Sequence, residues 1–346
     1  MSIIIYPPTI DWGWMKQRPQ HLMSQLAKKG HHVYFCNKTQ TRQAMQEIEP
    51  NLFLVHHHRD WLEHTWPGLR QTYGETVGVW STLPSQASEI TIYSPDWVVY
   101  DCVDEFAEWH RYEQDMVRLS TCIVCTSERL YERLRRTYPG MRIEMIRNAY
   151  DEQMNLHLPP PALGGQEEEC REWNEDKELM SSDTKRIGYI GAWAPWVDEL
   201  LIKKLSLLGN AQMIVIGPEY GKKYDIIGRS HHVRFLGLKP HCLLPGYIRR
   251  LSVCIIPFLI TPVTLATNPV KAYEYLAAGK PVVSTNMPEC RLMSPHIDVA
   301  DNHEQFIDAV IRRLRDPGDG AARTAYALEH TWTRRGEQVQ RLLATF

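Results

Sequence analysis

The sequence lacks a membrane-spanning apolar run, an excess of one charge and a dense set of cysteines. No apolar stretch approaches the roughly 18 residues of a spanning helix. A net charge of −2 over 346 residues gives no general attraction to nucleic acid or to an anionic membrane. The eight cysteines are scattered, and the start lacks a secretory pattern. We therefore expect free thiols in a cytoplasmic protein without a nucleic-acid partner.

Motifs for metals and dinucleotides are also weak. Cys122 and Cys125 form a C-x-x-C, but they lie in the apolar run CIVC, where strand alternation sends the two side chains to opposite faces. The three histidines at 56–58 have no cysteine partners at zinc spacing, and we expect them to end a strand in solvent. The fingerprint G-x-G-x-x-G is absent from the loop after the strand RIGYIG, which weakens a nicotinamide interpretation.

Strands and helices alternate along most of the chain. SIIIY is followed by a helical pattern from Gln17 to Lys29 and by the strand HVYFC, an order that implies a right-handed βαβ unit in a mostly parallel sheet. Composition then changes at 152–184 to Pro, Glu, Gly and Ser, which predicts a linker with a short charged helix. Beyond it, RIGYIGAW restarts the alternation, and Ala321–Phe346 is helical by pattern. The sequence therefore predicts an α/β protein with Rossmann-like domains at 1–151 and 185–325.

The segment 264–285, TLATNPVKAYEYLAAGKPVVST, predicts a loop, a helix, a turn and a buried strand in succession. Asn268 suits the N-cap, Pro269 the first helical position and Gly279 the C-terminal cap. The free amides at such a helix start favour a phosphate or pyrophosphate. Lys271 adds a positive charge to the first turn, and Glu274 shares its helix face. The plainer alternative is an ordinary capped helix with a surface ion pair.

A dense polar and aromatic group lies in the loop after the first strand, where open α/β sheets place their ligands. Trp12 and Trp14 suit the apolar faces of sugar rings, and Asp11 and Gln17 offer hydrogen bonds to an acceptor. Arg18 could fork onto a phosphate. A tryptophan packed under the loop and an arginine at a helix start are the structural alternative.

A second cluster, VVYDCVDEFAEWH, follows a predicted strand and contains four carboxylates and a histidine: Asp101, Asp104, Glu105, Glu108 and His110. These groups could act as a base or bind the hydroxyls of an acceptor, and a histidine can titrate near neutral pH. We single out Asp104 and His110, together with Arg18 and Lys271, as candidate catalytic groups. The alternative is that Asp104 caps a helix whose acids are solvated.

The segment 264–285 closely resembles the donor site of nucleotide-sugar-dependent glycosyltransferases of the GT-B fold, in the broad family 1 and family 4 group. The resemblance implies two Rossmann-like domains that face each other across a cleft. It also implies that Glu274 binds the ribose hydroxyls, while Thr267, Asn268 and Lys271 hold the pyrophosphate. The frequent first glutamate of this family is replaced by Ala266.

Other donor contacts are implied by the same resemblance. The backbone at Gly191, Ala192 and Trp193 would approach a phosphate, and Gly217 and Leu238 would lie near the base and sugar. The arginine and lysine that family members often carry near residues 194–196 are missing, so Lys271 or Arg18 would supply that charge.

DWGWMKQRPQHLM is similar to the N-terminal segment of glycosyltransferases that build cell-envelope or teichuronic-acid-like polymers. The resemblance implies transfer from a nucleoside-diphosphate sugar, as co-substrate, to a glycan or lipid-linked hydroxyl. Retention, no metal, no cofactor and a C-terminal helix, 326–346, that braces the first domain are also implied. The alternatives are a nucleotide-sugar epimerase and a non-catalytic scaffold subunit. The basic segment 129–136 would give at most a weak peripheral contact at the inner membrane face, and a solvated face is the alternative.

Overall fold

The structure, a computed structural model, describes residues 1–73, 76–159, 176, 184–221, 224 and 233–346. The chain forms two compact units. Unit 1 comprises Met1–Asn148 together with Trp332–Phe346, and unit 2 comprises Ala149–Thr331. Most of the predicted linker, 152–184, lies outside the described residues, as does the charged helix expected there.

Unit 1 is built on an eight-stranded sheet in the order β3-β4-β2-β1-β5-β6-β7-β8. All neighbouring strands are parallel except β3 and β4, which are antiparallel. The three consecutive isoleucines of the first strand are fully buried, as expected for a parallel sheet covered on both faces. The strands are β1 Ser2–Tyr6, β2 His32–Cys36, β3 Met45–Glu49, β4 Leu52–Val55, β5 Thr76–Ser81, β6 Trp97–Cys102, β7 Cys122–Cys125 and β8 Ile143–Met145.

The described helices of unit 1 connect these strands and include one supplied by the C-terminal segment. They are α1 Arg18–Lys28, α2 His58–Asp60, α3 Trp66–Tyr73, α4 Ala87–Ile90, α5 His110–Leu119, α6 Glu128–Thr137 and α14 Trp332–Leu343. The last of these packs on α1, where the rings of His21 and Trp332 stack 4.8 Å apart. A side chain at Gly336 would come within 2.8 Å of Gln25, so the two helices meet closely.

Unit 2 has a six-stranded, fully parallel sheet in the order β11-β10-β9-β12-β13-β14. Its strands are β9 Lys185–Ile190, β10 Ala211–Ile216, β11 Val233–Phe235, β12 Val253–Ile256, β13 Val282–Thr285 and β14 Ile297–Ala300. The described helices are α7 Glu199–Ser206, α8 Leu244–Arg250, α9 Pro262–Ala266, α10 Val270–Ala277, α11 Pro288–Arg291, α12 His303–Arg315 and α13 Gly320–Glu329.

Each sheet has a point at which its strand order reverses. In unit 1 this point lies between β1 and β5, and in unit 2 it lies between β9 and β12. Loops that leave neighbouring strands in opposite directions open a crevice there, and open α/β sheets bind their ligands in that crevice. The topology therefore directs attention to the loops that follow these four strands.

Two local predictions differ from the structure. The C-terminal segment is not one helix, because Thr331 forms a bridge with Tyr150 between α13 and α14. The histidines at 56–58 were expected in solvent, but His56 is buried and contacts the Asn37 amide at 3.0 Å. His58 bonds the Tyr93 hydroxyl at 2.7 Å, and burial lowers the pKa of this histidine to about 4. Aromatic packing withdraws these rings from water, which the sequence pattern did not indicate.

Within the described ranges, no helix combines the length and the apolar character that crossing a bilayer requires.

Candidate functional site

Two glycines shape the crevice of unit 2. Gly191 follows β9 with φ 148°, and its N–H donates to the Ile216 carbonyl at 2.8 Å. Gly217 follows β10, also at φ 148°, and a Cβ on it would meet the Gly191 carbonyl oxygen at 2.0 Å. Only glycine permits both this conformation and this approach. The loops that follow β9 and β10 therefore meet backbone to backbone, and the first of them borders the reversal point.

The ammonium of Lys271 lies directly over this glycine backbone. A Cβ on Gly191 would come within 2.6 Å of Lys271 Nζ, so the absent side chain is what leaves room for the cation. The same nitrogen lies 4.9 Å from the ring centroid of Tyr189, on β9, and 4.9 Å from that of Phe258, which follows β12. Elements on both sides of the reversal point thus converge on one lysine.

Lys271 forms no ion pair within the part of the chain that the structure describes. No carboxylate pairs with it there, although Glu274 lies one helical turn away. Burial lowers the pKa of Lys271 to about 8, against the opposing influence of the Glu274 and Cys290 charges. A group that is charged, desolvated and without an ion-pair partner is poised to bind an anion.

The helix that carries this lysine begins one residue later than predicted. Asn268 is not the N-cap; Pro269 takes that position and Val270 is the first helical residue. The Asn268 amide instead donates to Glu289 at 2.8 Å and to the Tyr273 hydroxyl at 3.2 Å, so the side chain is committed inside the unit. The predicted C-terminal cap is confirmed, because Gly279 adopts φ 67°.

The residues around this helix are placed as follows. Glu274 is 7% exposed, on the helix that also carries Lys271. Ala266, which stands where the family often has a glutamate, is fully buried. The Thr267 hydroxyl donates to the Val263 carbonyl at 2.8 Å, which ties it to the preceding helix. The predicted donor roles of Thr267 and Glu274 remain predictions.

Of the loop residues predicted to contact the donor, some are buried within unit 2 and others are exposed. Trp193 is fully buried with its ring against Phe235, 5.3 Å between centroids, and its N–H donates to the Pro218 carbonyl at 2.8 Å. This residue therefore builds the loop rather than offering a surface. The Ala192 carbonyl accepts from the Tyr189 hydroxyl at 2.8 Å. Leu238 is 45% exposed, next to the Gly237 carbonyl to which Gly217 donates.

In unit 1 the loop after β1 is held to the loop after β2. Asp11 accepts from the Thr39 N–H at 2.8 Å, and Trp12 N–H donates to the Asn37 side chain at 2.8 Å. Burial alone would raise the pKa of Asp11, but the hydrogen bonds from Thr39 hold it below its ordinary value. Trp14 is 46% exposed and remains available for a ligand.

Gln17 caps α1, with its N–H donating to the Gln20 side chain at 3.1 Å.

Arg18 corrects a prediction of a phosphate contact. Its guanidinium is 3% exposed and forks onto Asp101, with Nε 2.8 Å and one terminal nitrogen 2.9 Å from the carboxylate oxygens. The other terminal nitrogen donates to the Ile146 carbonyl at 2.8 Å. Trp80 donates to the same carboxylate at 3.0 Å. In this arrangement Arg18 cannot also fork onto a phosphate, because all three of its nitrogens are engaged within the unit.

In the acidic cluster after β6, one carboxylate is ion-paired within the unit and another is not. Glu105 pairs with Arg129 at 3.1 Å and with Arg133 at 3.3 Å. Asp104 is part-buried, and no side chain in the described ranges pairs with its carboxylate. Burial raises the pKa of Asp104 to about 6. His110 is exposed at the start of α5. Asp104 thus has the properties of a group that exchanges a proton near neutral pH.

The basic helix α6 presents no apolar surface for a lipid. Leu130 and Leu134 are both fully buried against the unit. Arg133 forks onto Glu113, with its closest contact at 2.6 Å, and Arg129 is paired as described above. Contact with a membrane through this helix would therefore rest on charge alone, and it remains a prediction.

Sequence reasoning missed aromatic residues that lie against Lys271 in space or close to Asp104 in the chain. Tyr189 and Phe258 looked like ordinary strand and strand-end residues, since nothing local shows that their rings converge on Lys271. Phe106 and Trp109, whose rings lie 4.9 Å apart beside Asp104 in sequence, were passed over in favour of the acids. The signal that was available is position: each follows or ends a parallel strand near a polar residue.

Comparison with known proteins finds a family model that matches most of the second half of the chain. Residues 184–316 match the family model described as glycosyl transferases group 1. The chain is also 24% identical over 275 residues to TuaH of Bacillus subtilis, described provisionally as a teichuronic acid biosynthesis glycosyltransferase. That alignment covers 71% of this chain but 66% of the relative, slightly less than two thirds of its length.

Several solved structures have the same fold. The sucrose-phosphate synthase of Thermosynechococcus elongatus has a TM-score of 0.71 at 14% identity, covering 99% of this chain and 98% of that one. HepE of Anabaena, solved with UDP and glucose, has a TM-score of 0.68 at 14% identity and full coverage of both chains. The E. coli trehalose-6-phosphate protein bound with UDP-2-fluoro glucose has a TM-score of 0.68 at 11% identity, covering 100% and 99%. The GT-B fold and the resemblance to its glycosyltransferases, both predicted from the sequence, are confirmed.

Proposed function

We propose that this protein is a glycosyltransferase that moves a sugar from a nucleoside-diphosphate sugar to a hydroxyl of a glycan or lipid-linked acceptor. The observation that carries the proposal is the position of the Lys271 ammonium. It lies over Gly191 at the reversal point of the unit 2 sheet, without an ion-pair partner in the described residues. A diphosphate is the anion that this site suits best, since it carries two adjacent phosphates.

In this proposal Lys271 and the start of α10 act on the leaving group. As the bond from the sugar to the diphosphate breaks, negative charge grows on the diphosphate oxygens. A fixed ammonium and free backbone amides stabilise that charge without having to reorganise. Glu274 would accept hydrogen bonds from the ribose hydroxyls, which places the diphosphate against the lysine. Electrostatic stabilisation of the leaving group is then the main catalytic contribution of unit 2.

The donor and acceptor classes come from the similar proteins. HepE and the E. coli trehalose-6-phosphate protein were solved with uridine nucleotides, so we propose a UDP-sugar donor. The description of TuaH supports an acceptor in cell-envelope polymer synthesis. Asp104 would then accept a hydrogen bond or a proton from the acceptor hydroxyl, with Trp14 offering a face to a sugar ring. Retention of configuration and independence of metal ions belong to the same proposal.

The test begins with binding. Purified protein is titrated with UDP, GDP, ADP and their glucose conjugates, and melting temperature is followed, because a ligand of the folded state raises it. We expect a selective rise with one diphosphate that is lost in Glu274→Ala. Glu199→Ala, an acid in the first turn of α7, is a matched control that should leave the rise unchanged. No rise with any diphosphate would favour a scaffold subunit instead.

Metal independence is tested once turnover is measured. Release of UDP in the presence of acceptor is compared before and after chelation with EDTA. We expect an unchanged rate. A rate that disappears in chelator and returns with Mn²⁺ would contradict this part of the proposal.

A further inference from the structure

We propose that Phe258 and Tyr189 are positioning residues that hold the Lys271 ammonium as an unpaired cation, ready for the diphosphate. This inference rests on the proposed function, which it deepens by explaining how the phosphate-binding charge is kept available. In place of a carboxylate, two ring faces stabilise the cation in the free protein. The diphosphate is then the first anion that the lysine meets.

The geometry satisfies the requirements of a cation–π contact twice. Both ring centroids lie 4.9 Å from Lys271 Nζ, inside the roughly 6 Å over which a ring face attracts an ammonium. The rings of Tyr189 and Phe258 are 6.3 Å apart and nearly perpendicular, at 74°. One ammonium therefore lies against two faces of different orientation, which restricts its position more than a single ring would.

The rings are themselves fixed by the strand ends. The Tyr189 hydroxyl donates to the Ala192 carbonyl at 2.8 Å, which ties the ring to the loop over which the lysine lies. Phe258 is 4% exposed and pairs through its backbone with Val197. The holder is thus rigid, and it is built from the strands on both sides of the reversal point.

Ring faces also serve this lysine better than a carboxylate would. An ion pair must be broken before the cation can bind a phosphate, whereas a ring face can keep its contact while the ammonium gains an anion. The charged or titratable groups near Lys271 are Glu274 on the same helix, Cys290 on α11 and the Tyr189 hydroxyl. Of these groups, Glu274 is the one that could form an ion pair with the ammonium. The two rings instead hold the ammonium over Gly191.

The experiment measures the affinity of the full-length protein for inorganic pyrophosphate by calorimetry. Phe258→Leu removes the ring but keeps an apolar side chain, and we expect a threefold to tenfold weaker affinity, because the lysine side chain is then no longer held in place and must be ordered when the anion binds. In the background of Lys271→Met the same change should have no further effect. Phe306→Leu is the matched control, because Phe306 is equally apolar and fully buried in the same core without contacting the lysine. This control should lower the melting temperature but not the affinity.

The pH profile gives a second readout that a general packing defect would not move. A ring stabilises the charged form of the lysine, so the Phe258→Leu variant should lose pyrophosphate binding at a lower pH than the wild type. Equal affinities of the wild type and Phe258→Leu would overturn the inference. So would the same loss in the Lys271→Met background. Normal pyrophosphate binding with no binding of any nucleoside diphosphate would instead contradict the proposed function and leave the inference standing.

Discussion

Each unit has a cationic side chain near the reversal point of its sheet, but the two cations differ in whether the protein supplies a counterion. In unit 1, Arg18 is enclosed and forks onto Asp101, with further bonds to backbone. In unit 2, Lys271 contacts two aromatic rings, and no described carboxylate pairs with it. The first arrangement satisfies the cation within the protein. The second leaves it to be satisfied by a ligand.

This difference separates a structural charge from a functional one more reliably than residue type does. From sequence alone, Lys271 and Arg18 were both candidates for the positive charge beside the phosphates, and a guanidinium can bind phosphate through two parallel hydrogen bonds. The structure separates the two candidates, because the nitrogens of Arg18 donate to groups within unit 1, whereas Lys271 lies against two aromatic rings. The predictions that follow break one arrangement or the other, beginning with the largest effect.

Removal of Asp101 should cost the most. Asp101→Ala leaves a buried guanidinium without its counterion, and we expect the free energy of unfolding of unit 1 to fall by about 3–5 kcal/mol. Urea unfolding monitored by tryptophan fluorescence measures this change. The double variant Arg18→Met with Asp101→Leu should recover most of the loss. A full loss that persists in the double variant would mean that the pair is not the cause.

Removal of Lys271 should show the opposite pattern. Lys271→Met relieves a desolvated charge, so the melting temperature should stay the same or rise. The affinity for the diphosphate should fall by about tenfold to a hundredfold, as expected for the loss of hydrogen bonds to a charged group worth about 1.5–3 kcal/mol. Calorimetric titration with UDP measures it. A destabilised variant with unchanged affinity would assign the lysine to structure.

A third variant tests Glu274, a carboxylate on the same helix as Lys271 that forms no described ion pair with this lysine. Glu274→Gln replaces the charged acceptor of the ribose hydroxyls by a neutral one. We expect UDP binding to weaken by about tenfold, which corresponds to about 1.5 kcal/mol for a hydrogen bond to a charged group. Binding of inorganic pyrophosphate, which has no ribose, should be unchanged. An equal loss for both ligands would mean that Glu274 acts through Lys271 rather than through the ribose.

The smallest effect is a pH dependence that only one of the two cations can produce. The pKa of Lys271 is lowered from 10.5 to about 8, whereas a guanidinium stays charged throughout this range. Affinity for pyrophosphate should therefore decline as pH rises through about 8, and Lys271→Met should flatten the profile. For stability the sign is opposite: the unfolded chain binds the extra proton between pH 8 and 10.5, so this group makes the folded state relatively more stable as pH rises there.

The sequence predicted the local elements and the fold better than the site. Apolar strands such as SIIIY and the capped segment at 264–285 are specified by neighbouring residues, so pattern and turn chemistry suffice to find them. The glycines were also predictable, since a tight loop after a parallel strand demands them. The start of the helix was predicted one position too early, and the Asn268 side chain is instead held by a distant acid, Glu289.

What could not be predicted depends on contacts between distant residues. Arg18 and Asp101 are 83 positions apart in the chain, and nothing near either residue shows that they meet. The same holds for Phe258 and Tyr189, which become part of the site only because the reversal of strand order brings β9 beside β12. Contacts between residues that are distant in the sequence therefore decide whether a charged side chain has a counterion within the protein.

The contribution of Trp332–Phe346 to unit 1 has a consequence for biosynthesis. The first 148 residues of this unit leave the ribosome well before its final helix, because all of unit 2 is translated between them. At about 5–20 residues per second, the roughly 300 residues between α1 and the helix that covers it take on the order of 15–60 seconds to synthesise. During that interval the face of α1 around His21 lacks the helix that covers it in the folded protein.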